Sequence, residues 1–212
     1  MKILKNFVVL EGADGSGTTT QLSILETFFL QNKDRLQLPP FYKTFEPTDS
    51  SIGKLIRSAL KNETTLKAET IALLFAADRN EHLYGSGGIV ERCNRGELVV
   101  SDRYLPSSLV YQGITCGEEL PARLNSDFPG PELLLFLDLD PQKALERIAG
   151  REIKEIYEYS SFQIQVYSRY KALVKRLSEQ GIRVETIDAS PPPDIVAREI
   201  WKAIEKMPIF KG

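Results

Sequence analysis

Short apolar runs alternate along the chain with longer segments in which apolar residues recur at helical spacing. The short runs have the length of strands, and the longer segments gather their apolar residues on one helical face. This alternation is typical of β-α units around a parallel sheet. The pattern predicts strands at 7–10, 41–45, 98–101, 133–137 and 183–187, and helices at 20–30, 51–60, 68–84, 141–149, 162–180 and 195–204.

Local signals refine this pattern. The run at 133–137 is the most uniformly apolar in the chain, which predicts a central strand covered on both faces. Asp140 and Pro141 combine a capping side chain with a proline suited to the first helical position, so a helix begins there. Residues 150–161 are polar and lack a clean period. No repeat or linker interrupts the pattern, so we predict one α/β domain over residues 1–212, with a five-stranded parallel sheet.

The composition is that of an ordinary globular domain: 212 residues, 42% hydrophobic and 26% charged. A chain of this length buries roughly 70% of its unfolded surface, so its core needs neither a disulfide nor a structural metal. The 27 Lys and Arg residues nearly balance the 29 Asp and Glu residues. This balance does not favour broad attraction to nucleic acid or anionic lipid, and we expect no nucleic-acid partner.

The sequence shows no cysteine pattern typical of a metal site and no clear targeting segment. Cys93 and Cys116 share no metal-type spacing with each other or with His82, so we expect reduced thiols and no zinc site. The N-terminal apolar run is too short for a signal peptide. No window approaches the roughly 20 apolar residues of a membrane helix. We therefore expect a cytoplasmic protein without a membrane partner.

A glycine-rich loop lies between the first predicted strand and the first predicted helix. Its spacing is that of the phosphate-binding P-loop, G-x-x-x-x-G-K-[ST]. Its glycines let backbone N–H groups turn inward, and the positive end of the following helix faces the same concavity. A turn that merely joins strand to helix is the alternative. The motif predicts phosphate binding by Gly12, Ala13, Asp14, Gly15, Ser16, Gly17, Thr18, Thr19 and Thr20.

The loop departs from the motif at Thr18, where a lysine is expected. That lysine reaches the β- and γ-phosphates and offsets charge in the transition state. The backbone and the helix dipole bind phosphate without it, so the motif still predicts nucleotide binding. Three explanations stay open: another cation substitutes, the position is mutated, or the protein binds nucleotide without efficient catalysis.

Four sequence blocks resemble, in order, those of the thymidylate kinases, P-loop enzymes that phosphorylate dTMP with ATP. Together the blocks span nearly the whole chain, and any one of them alone would be weak. They are LEGADGSG with TTQ, EPT with IGKLIR, LFAADRNEH, and SDRY with SSLVYQG, at residues 10–21, 46–57, 74–82 and 101–113. The third block is the most specific.

The resemblance implies a three-layer P-loop nucleoside monophosphate kinase fold with a small lid at about 150–161. It also implies ATP as phosphoryl donor, dTMP as acceptor, Mg²⁺ as cofactor and a twofold homodimer. Ala13 leaves no basic side chain inside the phosphate loop, as in the subtype whose lid supplies the catalytic arginine. We therefore expect Arg151, helped by Lys154, to act on the ATP phosphates when the lid closes. A solvated charged loop is the alternative.

The resemblance also assigns the acceptor site. Phe75 resembles the aromatic residue that stacks on thymine, and Arg79, one helical turn on, would donate to a thymine carbonyl. Core packing of Phe75 and solvation of Arg79 are the alternatives. Arg103 resembles the arginine that binds the acceptor phosphate. Asp14 would meet the sugar 3′-OH, or it would only stabilise the turn, and Tyr111 would disfavour a 2′-OH. The implied dTMP-binding residues are Asp14, Phe75, Arg79, Arg103, Ser108, Tyr111 and Gln112.

Asp102 closes the third predicted strand at its C-terminal end, where open α/β sheets bind ligands. An acid there can hold Mg²⁺ through water or orient the attacking phosphate, and Thr19 and Asp102 are the predicted metal residues. The predicted catalytic residues are Asp102, Arg103 and Arg151. Many bacterial members have a phosphate-binding arginine where this chain has Phe45, so one expected cation is missing.

Two other functions stay open. The chain could phosphorylate another deoxynucleotide or a deoxynucleoside, because fold alone does not set the substrate. It could also bind nucleotide as a catalytically weak protein, because Thr18 replaces the lysine. The retention of Thr19, Asp102, Arg103 and Arg79 argues against the weak protein, since an inactive site has no physical need for the whole set.

Overall fold

Five parallel strands form one sheet in a computed structural model that describes residues 1–149 and 160–211. The strand order is β2-β3-β1-β4-β5, and every pairing is parallel. The strands span Ile3–Glu11 (β1), Phe41–Phe45 (β2), Leu98–Asp102 (β3), Gly130–Asp138 (β4) and Arg183–Asp188 (β5). The predicted five-stranded parallel sheet is confirmed, with β1 and β4 longer at both ends than their apolar runs indicated.

Helices cover both faces of this sheet. They span Thr18–Leu36 (α1), Ser51–Leu60 (α2), Ala68–Tyr84 (α3), Ile89–Asn94 (α4), Leu105–Thr115 (α5), Glu119–Leu124 (α6), Pro141–Ile148 (α7), Ser160–Glu179 (α8) and Pro193–Ile204 (α9). The periodicity did not predict α4, α5 or α6. Two of these have six residues, too few to show a helical period, and α5 carries polar residues on a buried face. No described helix has the length and apolarity to span a lipid bilayer.

Two apolar layers hold the sheet between the helices. Alternate residues of β1 point to opposite layers, with Phe7 and Val9 in one and Val8 and Leu10 in the other. The run at 133–137 is fully buried on both faces, as predicted for a central strand. Each fully buried leucine of that run contributes about 2 kcal/mol of burial free energy. The two layers fix β1 and β4 at the centre of the domain.

The strand register brings three loops to one edge of the sheet. Leu10 pairs with Asp102, and Asp102 pairs with Phe45 on its other side. The segments that follow β1, β3 and β2 therefore leave the sheet at the same level. Ligands of open α/β sheets bind outside these carboxyl ends. The phosphate loop, Arg103 and Glu46 are the first residues beyond them.

Candidate active site

The phosphate loop takes the backbone conformation that its glycines allow. Gly15 and Gly17 have φ angles of +87° and +99°, in the left-handed region that side chains rarely adopt. A Cβ atom at Gly15 would also collide with the carbonyl oxygen of Ala144. Helix α1 begins directly after Gly17, so its free N–H groups face the loop. Thr18, at the lysine position, is buried and carries no charge.

Thr19 and Asp102 meet beside this loop. The Thr19 hydroxyl donates to Oδ2 of Asp102 at 2.5 Å. Oδ1 of Asp102 is buried and has no hydrogen-bond partner within the described part of the chain. Hydroxyl and carboxylate oxygens are the ligands that Mg²⁺ accepts, together with water and phosphate oxygens. The described residues contain no cluster of three or more His, Cys, Asp or Glu side chains that could hold a metal by itself. The pair therefore fits a cation held jointly by protein and substrate.

Arg103 is attached directly to the phosphate loop. Its Nη1 donates to the carbonyl oxygen of Gly12 at 3.1 Å, and its Nη2 donates to Oδ1 of Asp14 at 2.5 Å. Asp14 also accepts from Nε2 of Gln163 on α8 at 2.7 Å. The Arg103 guanidinium lies 5.3 Å from the centre of the Tyr111 ring. One guanidinium thus joins the loop to the helix that carries the predicted base-binding residues.

Arg79 lies in a buried polar network instead of on the surface. Its Nε and Nη2 donate to Oε2 of Glu46 at 2.9 and 2.6 Å, and Nη1 donates to Asn125. Nη2 also donates to the Ser108 hydroxyl at 3.1 Å. With 1% of its surface exposed, Arg79 is not a solvated arginine. Its one buried carboxylate partner, Glu46, stabilises a charge that would otherwise be costly to bury.

The loop after β2 depends on the same helix as Arg79. Asp78, also buried on α3, accepts from the backbone N–H and hydroxyl of Thr48 at 2.7 and 2.6 Å. It accepts from the Ser50 hydroxyl at 2.7 Å, and Ser50 caps the first turn of α2. Successive residues of α3 therefore hold the loop that enters the site.

Phe75 and Gln112 complete this end of the site. Phe75 packs against the core and also lines the cavity, so its core packing leaves it placed for contact with a ligand. Oε1 of Gln112 is buried without a hydrogen-bond donor among the described residues. A buried acceptor that faces a cavity is a position where a ligand N–H can bind.

A single cavity of about 960 Å³ connects these features. Its described walls include the loop residues Asp14, Gly15, Ser16, Gly17, Thr18, Thr19 and Thr20 and the predicted residues Phe75, Arg79, Asp102, Arg103, Tyr111 and Gln112. Gly12, Ala13 and Ser108 do not belong to the described lining, although Ser108 contacts Arg79. Arg151 and most of the predicted lid lie outside the described residues.

Sequence reasoning did not assign two arginines that line this cavity. Arg57 donates from α2 to the carbonyl oxygens of Pro47 and Thr48, with its guanidinium 5.5 Å from the Phe45 ring centre. Arg147 donates from α7 to the Ala189 carbonyl oxygen at 3.0 Å. Arg57 closes the second sequence block, and its position there was the available signal. It places a cation beside Phe45, where the expected arginine is missing.

Known proteins resemble the chain over almost its full length. The thymidylate kinase family model matches residues 10–200. A Treponema pallidum protein named as a thymidylate kinase is 40% identical over 203 residues, covering 94% of this chain and 95% of its own length. A Pyrobaculum aerophilum protein also named as a thymidylate kinase is 39% identical over 206 residues, covering 97% of this chain and 99% of its own length.

A solved structure gives the same result. The thymidylate kinase of Candida albicans superposes with a TM-score of 0.74 at 30% identity, covering 95% of this chain and 91% of that one. The parallel sheet, the strand-loop-helix at the phosphate loop and the full-length similarity agree with one another. The chain belongs to the thymidylate kinase family.

Proposed function

We propose that this protein transfers the γ-phosphoryl group of ATP to dTMP, giving dTDP. The observation that carries the proposal is the single cavity, which joins a phosphate loop to a pocket lined by Phe75, Arg79, Tyr111 and Gln112. A kinase that acts on two nucleotides needs the donor site and the acceptor site in one solvent-protected space. It accelerates the reaction by positioning the two substrates and neutralising their charge.

The acceptor end suits a deoxynucleoside monophosphate. The Phe75 ring offers a face to a pyrimidine, and Oε1 of Gln112 can accept from a base N–H. Four of the five N–H donors of Arg79 bind protein groups, which leaves one on Nη1 for a base carbonyl. Arg103 binds the acceptor phosphate, and Arg57 supplies the cation that Phe45 does not. Asp14 meets the sugar 3′-OH, and Tyr111 limits the room for a 2′-OH.

The donor end is built on backbone groups. The N–H groups of the phosphate loop and of the first turn of α1 bind the ATP phosphates. Arg147 and the segment 189–193 adjoin this loop, since Gln21 of α1 donates to the Pro193 carbonyl oxygen at 3.0 Å. We assign them to the nucleoside part of ATP. Thr19 and Asp102, which share a hydrogen bond, would hold Mg²⁺. The bound ion would neutralise charge on the donor oxygens.

The reaction is an in-line displacement. An oxygen of the dTMP phosphate forms a bond to the γ-phosphorus, and the bond from that phosphorus to the β-γ bridging oxygen breaks. ADP leaves with the electron pair, and no covalent enzyme intermediate forms. Arg103 orients the attacking oxygen from its position between Gly12 and Asp14. Because Thr18 carries no charge, we assign to Arg151 the cation that stabilises the transferring group, and Arg151→Ala should lower kcat roughly 100-fold.

The test is ADP release with Mg-ATP and a panel of dTMP, dUMP, dCMP, AMP and thymidine, for the wild type and Thr18→Lys. We expect dTMP-dependent turnover by the wild type and little with AMP or thymidine. Turnover only after Thr18→Lys would instead identify a nucleotide-binding protein with an intact acceptor site. A preference for thymidine over dTMP would contradict the role of Arg103.

Several expectations from the sequence stay predictions. The twofold homodimer and the lid at about 150–161 rest on the resemblance. The single domain over 1–212, the cytoplasmic location and the absence of a nucleic-acid partner rest on the sequence pattern and the charge balance. Sedimentation of the purified protein checks the dimer directly.

A further inference from the structure

Glu11 is a fully buried carboxylate that no step of the proposed reaction uses. It is the last residue of β1, directly before the phosphate loop, and its exposure is 0%. It accepts four hydrogen bonds from two segments of the chain, the start of α5 and the middle of α8. A buried ionisable group is costly unless it is fully hydrogen-bonded. Such a group therefore calls for a physical explanation.

One carboxylate oxygen caps helix α5 from a different strand. Oε1 accepts from the backbone N–H groups of Tyr104 and Ser107, at 3.0 and 3.2 Å. Tyr104 is the N-cap residue of α5, and its own side chain makes no capping hydrogen bond. A carboxylate at a helix N-terminus satisfies free N–H groups and interacts favourably with the helix dipole. Glu11 thereby fixes the start of the helix that carries Ser108, Tyr111 and Gln112.

The other oxygen reaches Arg103 through two hydroxyl groups. Oε2 accepts from the hydroxyls of Ser107 and Tyr170 at 2.7 and 2.8 Å. The same two hydroxyls accept from Nη1 of Arg103 at 3.2 and 3.3 Å. A guanidinium can only donate, so neither hydroxyl proton points at Arg103. The two hydroxyls also lie 2.9 Å from each other, but Oε2 is the charged acceptor within reach of both. The ionised form of Glu11 therefore orders both hydroxyls as acceptors for Arg103.

The Arg103 backbone also needs support. Its φ angle is +68°, in the left-handed region that non-glycine residues rarely adopt. Its N–H donates to the Leu10 carbonyl oxygen, and its own carbonyl accepts from Ser101. The next N–H along the chain is the one that Glu11 binds. Strained residues persist only where the surroundings over-determine them.

We infer that Glu11 is a positioning residue: it holds the Arg103 guanidinium and the first turn of α5 in the arrangement that binds the acceptor phosphate. Glu11 touches neither nucleotide in this role and acts through Arg103, Ser107 and Tyr170. The inference rests on the proposed function only in naming the acceptor.

The charge on Glu11 changes within the range of ordinary assays. Burial raises its pKa to about 7, while Arg103 and the hydrogen bonds from Ser107, Tyr170 and Tyr104 oppose the rise. Beyond these groups, Asp14, Asp102 and Tyr111 surround Arg103. Protonation of Glu11 would remove the order of the two hydroxyls, so the affinity for the acceptor should fall as the pH drops through this range.

The experiment compares the wild type with Glu11→Gln, Glu11→Ala and Tyr170→Phe. Glu11→Gln keeps the shape and removes the charge, and we expect kcat/KM for dTMP to fall about tenfold at pH 8, with the KM for ATP within twofold. Glu11→Ala should lose roughly 100-fold, and Tyr170→Phe less than Glu11→Gln. Between pH 6 and pH 8, the wild type should gain kcat/KM for dTMP more steeply than Glu11→Gln. The ionisation of dTMP itself is common to both enzymes.

The matched control is Glu132→Gln, which alters a part-buried carboxylate that accepts the Asn6 N–H in the N-terminal half of β1. It should leave every kinetic constant unchanged. Wild-type kcat/KM and an unchanged pH profile in Glu11→Gln would overturn the inference. Absence of dTMP turnover in the wild type would instead refute the proposed function. Crystal structures of the wild type and Glu11→Gln then test the positioning role of Glu11 directly. If the Arg103 guanidinium keeps its contacts with Gly12 and Asp14 in the variant, that role is refuted.

Discussion

The two ends of the cavity are built by different means. The donor end consists of backbone N–H groups, glycines in left-handed conformations and the start of α1, and its central side chain, Thr18, is uncharged. The acceptor end consists of buried side-chain networks, in which Arg79 binds Glu46 and Arg103 binds Asp14. The backbone groups predicted to bind the donor phosphates follow one another in sequence, whereas the ion pairs of the acceptor end join residues 33 and 89 positions apart. Phosphate binding is thus local, and selectivity for the acceptor depends on the whole fold.

We expect the largest loss of stability from a variant that breaks the buried ion pair of the acceptor end. Arg79→Met removes the guanidinium from buried Glu46 and leaves it the His82 ring at 3.1 Å, so unfolding stability should fall by about 3 kcal/mol. The double variant Arg79→Met/Glu46→Gln should regain most of that stability without regaining affinity for dTMP. Chemical denaturation and dTMP titration measure the two quantities separately. If the single and double variants lose the same stability, the loss cannot be due to the Glu46 charge left without Arg79.

The charge of Glu11 should make the acceptor end sensitive to pH in stability as well. The folded-state pKa of about 7 lies above the unfolded value of 4.5, so between these values the folded protein binds more protons. Stability contributed by this group is therefore lost as the pH rises from 4.5 to 7. Between pH 4 and pH 8 the stability of Glu11→Gln relative to the wild type should rise by about 3 kcal/mol. Denaturant titrations at both pH values check this, and a constant difference would show that the shift is absent.

At the donor end, the variant to test changes the backbone conformation of the phosphate loop. Gly15→Ala forces a side chain into a left-handed residue and against the Ala144 carbonyl, so kcat/KM for ATP should fall roughly 100-fold. The matched control is Gly96→Ala, whose φ is +81° with no atom within 4 Å of the added Cβ. It should cost about 1 kcal/mol of stability and no activity. Equal loss of activity in both variants would show that general destabilisation, and not the loop geometry, is responsible.

The smallest effect sharpens the boundary between the two ends. Arg57→Ala removes the cation beside Phe45 and should raise the KM for dTMP about tenfold, with the KM for ATP unchanged. Arg92→Ala is the control. Arg92 also donates to a backbone carbonyl and lies over an aromatic ring, but it is outside the described cavity lining. A raised KM for ATP in Arg57→Ala would move Arg57 to the donor end.

The sequence was informative where the relevant contacts are local. The phosphate loop could be located because its glycines and the strand and helix around it follow one another. All six predicted helices and all five predicted strands exist, since hydrophobic periodicity directly reflects burial. The helices α4 and α6 were missed because six residues do not establish a period.

Other features depended on distant partners. No pattern indicated that Arg79 is buried against Glu46, because the pairing requires α3 to pack beside the loop after β2. The contact between Arg57 and Phe45 needs α2 to fold back across that loop, and the role of Glu11 needs β1, α5 and α8 to converge.

The sequence by itself determined the α/β class, the position of the phosphate loop and the absence of its lysine at Thr18. These depend on residue order, on hydrophobic period and on glycine conformations that act within a few residues. The tertiary structure alone decided which charges are paired, which acceptors are left for a ligand, and how Glu11 reaches Arg103 through two hydroxyls. Hydrogen bonds and ion pairs act over about 3 Å, so their partners are set by how the elements pack and not by their order along the chain.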